Sequence, residues 1–282
     1  MKAAAEENRA PRPERQGERW EPLDPSMKIL VDSNHRFNTD TILLAHFSMP
    51  GRGELCADFG TGCGAIPLLW CGRSSPRKVW GVELQEDAAK LARRSIQFND
   101  LESNIQIIQN DINNREALRA AFEPGSLHRI ACNPPYTPQG RGGLCPENSR
   151  LLARHQVACS FSDIARQAAY FLRWGGKFCC CQRPEHLASV TVSLQREGLE
   201  PKRLQFVQQR REKAPFLFLL EASRGGNPGM RVLPVLFVED PGGGLSQEML
   251  DIYGSYKSEE KYGKTGRKPQ AETTAGDGKK GE

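Results

Sequence analysis

Leu55-Cys56-Ala57-Asp58-Phe59-Gly60-Thr61-Gly62-Cys63-Gly64 is an apolar run that ends in an acid and three alternating glycines. The run reads as a strand over 55–59. Apolar residues over 66–71 then read as a helix. Glycines at a strand-to-helix turn let the backbone take positive φ and come close to a ligand. The spacing is not GxGxxG, because Cys63 and Ala65 interrupt it, and no Gly-Lys-Ser/Thr phosphate loop is present. Outward from this turn the pattern repeats. Strands are predicted over 78–84, 104–110, 129–132 and 177–182, and helices over 86–98, 115–122, 161–174 and 185–196. After residue 200 the helices stop, and 203–208, 216–223 and 231–238 read as strands joined by turns. This order predicts an α/β fold, a doubly wound sheet that is mostly parallel with antiparallel terminal strands.

The ends of the chain differ from its middle. Residues 1–21 carry five basic and five acidic residues, and 255–282 carry seven and five with no Leu, Ile or Val. Neither stretch can bury enough apolar surface to offset its ordering entropy. The expected organisation is a disordered tail over 1–21, one folded domain over 22–254, and a disordered Lys/Gly-rich tail over 255–282. The chain's net charge of +5 falls to a small basic excess in the middle portion, a weak pointer to nucleic acid. No apolar run approaches a membrane span, and the first 19 residues lack the apolar segment of a secretory signal. Nine cysteines, without any CxxC and with a triplet at 179–181, fit buried free thiols in a reducing cytoplasm and no metal site.

Three acids fall at three successive strand ends: Asp58, then Glu83 25 residues later, then Asp111 after 28 more. In an open α/β sheet, ligands bind at the carboxyl ends of the strands, and an acid after the second strand accepts from ribose hydroxyls. Asp111 can accept from an adenine amino group. Three carboxylates repel a phosphate and suit a neutral ribose or a cation. S-adenosylmethionine has a ribose, an adenine and a sulfonium cation, and no phosphate.

Asn133-Pro134-Pro135-Tyr136 follows the fourth of these strands. Two prolines fix φ and hold the residues before them extended. The result is a stiff corner presenting the Asn133 side-chain oxygen and the Pro134 carbonyl together, beside the Tyr136 ring. Taken alone, such a stretch is equally a rigid turn with a surface tyrosine. Placed after a strand of a sheet with the glycine loop, it suits a planar amino group. Two acceptors grip the two N–H hydrogens and favour a pyramidal nitrogen whose lone pair can attack a methyl group. The aromatic ring can stack on the acceptor base.

These residues resemble the class I S-adenosylmethionine-dependent methyltransferases that modify exocyclic or amide nitrogens. Within that class, His35-Arg36-Phe37-Asn38-Thr39-Asp40-Thr41, Ala153-Arg154-His155-Gln156, Arg183-Pro184-Glu185, the Pro228-to-Pro234 stretch and the ending Glu248-to-Tyr253 are similar to bacterial tRNA1(Val) adenine-N6-methyltransferases. The resemblance covers roughly 25–254. It departs at Gln156, where an acid is expected, and over 145–152. It implies a Rossmann-like class I methyltransferase fold. It also implies methyl transfer from S-adenosylmethionine to N6 of an anticodon-loop adenosine in tRNA, as in tRNA modification by a cytoplasmic enzyme. By the same resemblance, Asp58, Gly60, Gly62 and Gly64 line the methionine part of the cofactor, Glu83 holds its ribose and Asp111 its adenine. Arg36 and Thr39 close over it. Asn133, Pro134 and Tyr136 are catalytic, and Pro135 contacts the substrate.

Arg150 and Arg154 flank the loop after Tyr136, and Arg210 and Arg211 belong to a basic cluster near the last strands. Both sets are candidate RNA-phosphate contacts, equally readable as solvated charged faces. Two other functions use the same corner. Protein glutamine-N5 methylation would call for a helical substrate domain before the glycine loop, and only 57 residues precede Asp58. Ribosomal RNA guanine-N2 methylation is not separated from the first reading by the corner alone. A DNA adenine methyltransferase would need a target-recognition insertion, for which no segment is long enough. A non-enzymatic RNA-binding protein is disfavoured by the intact acids and Asn133.

Overall fold

The structure is a computed structural model that describes residue 15 and residues 17–134 and 159–254. Arg19–Asp24 (β1) and Met27–Val31 (β2) pair antiparallel as a separate two-stranded sheet. Residues 19–21, which the composition placed in an N-terminal tail, are therefore in a strand. Composition missed this because the stretch is anchored through contacts distant in sequence. The Trp20 ring lies 4.5 Å from that of Phe98, and the partner strand buries Ile29, Leu30 and Val31 completely.

Thr39–Phe47 (α1) follows, capped by the Asn38 side chain, which accepts from the Thr41 N–H. The main sheet then builds in alternation. Its first part comprises Leu55–Phe59 (β3), Ala65–Arg73 (α2), Lys78–Glu83 (β4), Glu86–Phe98 (α3), Ile105–Gln109 (β5) and Arg115–Arg119 (α4). Leu127–Cys132 (β6), Phe161–Phe171 (α5), Leu172–Gln182 (β7), Leu187–Arg196 (α6), Leu199–Gln208 (β8) and Leu217–Arg224 (β9) complete the alternation. Arg231–Val232 (β10), Leu236–Phe237 (β11) and Gln247–Tyr253 (α7) close the described chain. The strand order is β10-β8-β9-β7-β6-β3-β4-β5, with β11 also on β8. Strands β3 to β7 pair in parallel, and β9 runs antiparallel to both β7 and β8. The expected mostly parallel, doubly wound sheet is what the chain forms.

Two local readings change. The helix predicted over 161–174 stops at Phe171, and β7 starts at once with Leu172, paired to Leu127. Trp174 keeps the apolar helical spacing, yet its ring lies over Gly225, where an added Cβ would come within 2.2 Å of it. The single strand predicted over 231–238 is two two-residue strands that both run parallel to β8. Pro234 stands between them and has no N–H to donate.

Each face of the sheet has its own core. One holds Cys56, Ala131, Cys179 and Cys181 under α1, α2 and α3, and the other holds Phe59, Ile130, Cys132 and Cys180 under α5 and α6. The period of two along β7 thus sends Cys179 and Cys181 to one face and Cys180 to the other. All eight described cysteines are free thiols, and burial pushes Cys63 and Cys179 up to about 12. Among the described residues, no group of His, Cys, Asp and Glu side chains could hold a metal ion, and no helix is long and apolar enough to cross a membrane.

Candidate active site

A cavity of about 330 Å³ opens at the carboxyl ends of β3, β4, β5 and β6. Gly60, Gly62, Glu83, Asp111, Asn133 and Pro134 line it, with Arg36 and Leu84 at its walls. The glycine loop is built by backbone geometry. Gly60 and Gly62 have φ of 77° and 56°, and the N–H groups of Gly60 and Thr61 both donate to the Val82 carbonyl. A side chain at either glycine would be strained. Gly64 has another task. It starts α2 at φ 89°, and a Cβ there would lie 3.1 Å from the Ala92 Cβ on α3. It lets the two helices approach and is not among the cavity-lining residues.

The acids behave differently from one another. Both carboxylate oxygens of Glu83 accept backbone N–H groups at 2.8 Å, one from Gly62 and one from Gln85. Glu83 therefore ties the glycine loop to the turn after β4, with lone pairs left over for a ligand. Asp58 is 2% exposed, and its Oδ1 has no hydrogen-bond partner. Burial raises its pKa to about 7; Thr61 beside it opposes the rise and the Glu83 charge adds to it. A buried, unpartnered carboxylate oxygen is costly in an empty protein and is satisfied by a cationic or N–H-bearing ligand. Asp111 lines the cavity and accepts the Asn113 N–H at 2.8 Å.

The turn at 32–36 forms one wall. Asp32 Oδ1 accepts the backbone N–H groups of Asn34 and His35 at 2.8 and 2.6 Å. The His35 ring bridges Asp32, at 3.1 Å, and the Gln85 amide oxygen, at 3.2 Å. Burial opposes ionisation of Asp32, but these hydrogen bonds hold its carboxyl below the usual value. Arg36 donates from Nε to the Asp32 carbonyl at 3.2 Å and lines the cavity. Thr39 does not: its hydroxyl lies 3.0 Å from that of Tyr253 on α7.

The Asn133 side chain is held from both ends. Its Nδ2 donates to Thr41 Oγ1 at 3.1 Å, and its Oδ1 accepts from Cys181 Sγ at 3.1 Å. Pro134 is buried beside it. Pro135, Tyr136, Arg150 and Arg154 lie outside the described residues, as do the departures at Gln156 and over 145–152. Arg210 and Arg211 follow β8, away from the cavity, beside a second depression of about 450 Å³. Arg210 pairs with Glu239, and the Arg211 guanidinium lies 5.6 Å from the centre of the Phe237 ring. Strand β8 runs parallel to β7, since both are antiparallel to β9, so these arginines leave the sheet at the same edge as Asn133. Sequence reading did not single out Asn34, Gln85 or Cys181, and named His35 only within a family-like stretch; their parts depend on contacts between distant elements.

A family profile described as methyltransferase small domain matches residues 31–144, a stretch that takes in α1, the glycine loop, all three acids and the Asn133 corner. Over 190 residues the chain is 28% identical to a tRNA1(Val) (adenine(37)-N6)-methyltransferase of Tolumonas auensis, covering 67% of this chain and 76% of that one. A protein of the same name from Parabacteroides distasonis is 27% identical over 67% of this chain and 76% of its own. Among solved structures, one described as a predicted O-methyltransferase from Agrobacterium tumefaciens superimposes with a TM-score of 0.61. It is 21% identical, with 76% of this chain and 95% of that one covered. A 16S rRNA N2 G1207 methyltransferase of T. thermophilus aligns at a TM-score of 0.51 and 19% identity, over 75% of this chain and 52% of that one. With the sheet order, the glycine loop and the acids at the strand ends, these likenesses show a Rossmann-like methyltransferase fold, similar over 31–144 to the methyltransferase small domain, and mark the chain as an S-adenosylmethionine-dependent methyltransferase.

Proposed function

We propose that the chain transfers a methyl group to the exocyclic N6 amine of an adenosine in tRNA, an anticodon-loop adenosine by the family resemblance; its relatives are named for adenine 37 of tRNA1(Val). The observation that carries the reading is the meeting of Glu83, Asp111 and the restrained Asn133 amide in one cavity, with the buried Asp58, whose Oδ1 has no hydrogen-bond partner, in the strand that leads into it. S-adenosylmethionine supplies, when bound, a methyl group activated on a cationic sulfur. Asp58, Gly60 and Gly62 would hold its methionine part, Glu83 its ribose, Asp111 its adenine, and Arg36 would close the open side.

Asn133 Oδ1 and the Pro134 carbonyl then accept the two hydrogens of the target amine. An aromatic amine delocalises its lone pair into the ring and is a weak nucleophile. Two acceptors placed off the plane of the base favour the pyramidal nitrogen and direct its lone pair to the methyl group. The proton is lost to solvent after transfer, so no strong base is required. Tyr136 is the proposed stacking surface for the base. Arg211, and Arg150 and Arg154, which follow the corner in the sequence, are the proposed phosphate contacts, and such a site would take a flipped or single-stranded loop base.

The test is methyl transfer from labelled S-adenosylmethionine to unmodified bulk tRNA, followed by mass spectrometry of the digested nucleosides. N6-methyladenosine is the expected product. N2-methylguanosine, or label only in protein glutamine when a protein acceptor is supplied, would replace the reading.

A further inference from the structure

A relay of side chains from α1 and β7 fixes which way the Asn133 amide faces. It begins at a group with no ambiguity. The Thr41 backbone N–H can only donate, and it donates to the Asn38 side chain at 3.0 Å, so the atom there is the amide oxygen. That same oxygen lies 3.0 Å from the Thr41 hydroxyl. An amide oxygen has no proton, so the Thr41 hydroxyl must give up its single one to it. What the Thr41 oxygen has left is accepting capacity, and the Asn133 side chain lies 3.1 Å away. Asn133 must therefore present its NH2 to α1. Its oxygen then faces the opposite way, where the Cys181 thiol lies 3.1 Å off. Burial of the neighbouring Cys179 and Cys180 keeps this part of β7 dry, and a thiol is a weak donor. One of the two lone pairs on Oδ1 takes the thiol and the second stays available to an incoming amine.

We propose that Thr41 and Cys181 are positioning residues for the methyl transfer: they lock Asn133 with its oxygen toward the acceptor and its NH2 away from it. This rests on the reading of Asn133 as the group that grips the target amine. A flipped amide would put two donors against an amine that needs acceptors, so the cost of losing the lock falls on turnover and not on cofactor binding. The thiol adds a limit. It withdraws some electron density from Oδ1, and so it orients the acceptor without replacing it.

The experiment uses the full chain with labelled S-adenosylmethionine and unmodified tRNA. Thr41→Val keeps the shape and removes the hydroxyl; Thr41→Ser restores it. Thr41→Val should lower kcat by about ten- to a hundredfold, the range for a misplaced catalytic group. Cofactor Kd by calorimetry should stay within about twofold, which also reports that the variant is folded. Thr41→Ser should recover most of the loss. Cys181→Ala should lower kcat by less, because Thr41 still sets the orientation, and Cys181→Ser should restore it. Thr41→Val placed on Asn133→Ala should add nothing, since the two act as one unit. A second readout needs no acceptor. In protein labelled with 15N-asparagine, the Asn133 side-chain NH2 signals, identified by their loss in Asn133→Ala, should exchange with water several-fold faster in Thr41→Val.

Wild-type kcat and unchanged exchange in Thr41→Val, with Asn133→Ala inactive, would overturn the relay and leave the role of Asn133 intact. Wild-type turnover in Asn133→Ala would instead overturn the reading of Asn133 and the relay with it.

Discussion

The two halves of the cavity are built from different materials. On the β3–β4 side the chain holds itself by backbone: Gly60 and Thr61 N–H groups on the Val82 carbonyl, and Gly62 and Gln85 N–H groups on the Glu83 carboxylate. On the β6–β7 side the key group is held by side chains that come from elsewhere, Thr41 on α1 and Cys181 on β7. Backbone-held geometry tolerates a change of side chain at its neighbours and fails when a glycine or the bridging carboxylate is lost. Side-chain-held geometry fails one contact at a time. The first half should thus lose binding when damaged, and the second should lose rate.

The sharpest separation comes from Asn133→Ala. Loss of one oriented transition-state contact costs on the order of a hundredfold or more in turnover. Cofactor affinity, measured by calorimetry, should stay near the wild-type value because Glu83, Asp58 and the glycine loop are untouched. An equal loss in both quantities would mean that the halves are not independent.

Asp58→Asn breaks the other half, with a pH signature. The folded-state pKa of about 7 lies above the ordinary value of 3.8. The folded empty protein therefore binds more protons than the unfolded chain between these values, and its stability falls as pH rises through that window. Above about 7 the buried charge is fully present and the penalty is complete. Asp58→Asn should raise the melting temperature of the cofactor-free protein at pH 8 and change it little at pH 4. Cofactor binding should weaken by about ten- to a hundredfold at pH 8. In the wild type, affinity should decline as pH drops below about 7, and in Asp58→Asn it should be flat. A variant that is less stable at pH 8 would show that Asp58 is satisfied within the protein.

Glu83→Gln probes the backbone bridge itself. The amide offers one oxygen to two N–H donors, so either Gly62 or Gln85 loses its acceptor and faces an NH2 group. A buried donor left unpaired costs about 1–3 kcal/mol. The expected outcome is a lower melting temperature together with weaker cofactor binding, read by thermal melts with and without cofactor. Stability at the wild-type level with binding lost would confine Glu83 to ligand contact.

What sequence reading could and could not reach follows the same division. Strand β3, the glycine loop, the acids at the strand ends and the Asn133 corner are local patterns. Hydrophobic runs bounded by glycine or proline announce them, and the boundaries of β3 and α3 agree with the structure. The partners of Asn133 were not legible in this way. Thr41 and Cys181 lie 92 and 48 residues from it, and nothing local distinguishes Cys181 from Cys180, which faces the other core. Thr39 illustrates the converse. It sits in a stretch that resembles the family, yet one helical turn geometry sends its hydroxyl to Tyr253, while Thr41 meets Asn133. The hairpin of β1 and β2 was missed because charged, proline-containing residues conceal a strand whose apolar content lies in its partner.

The smallest effect expected lies at the far end of the same sheet edge and tests how far the acceptor half extends. Arg210 already has a carboxylate, Glu239, against its guanidinium. Arg211 rests on the Phe237 ring, a surface that leaves its charge available. If RNA reaches this edge, a phosphate should displace little at Arg211 and must compete with Glu239 at Arg210. Arg211→Ala should therefore reduce the steepness of the log Kd against log salt plot for tRNA by about one. Arg210→Ala should reduce it by less and should loosen the contact between the turn after β8 and the segment after β11. The reverse ranking would mean that Glu239 moves away when RNA binds, so that this edge also depends on a side-chain pair that must be broken before it can work. Equal and unchanged slopes would end the acceptor half at the Asn133 corner.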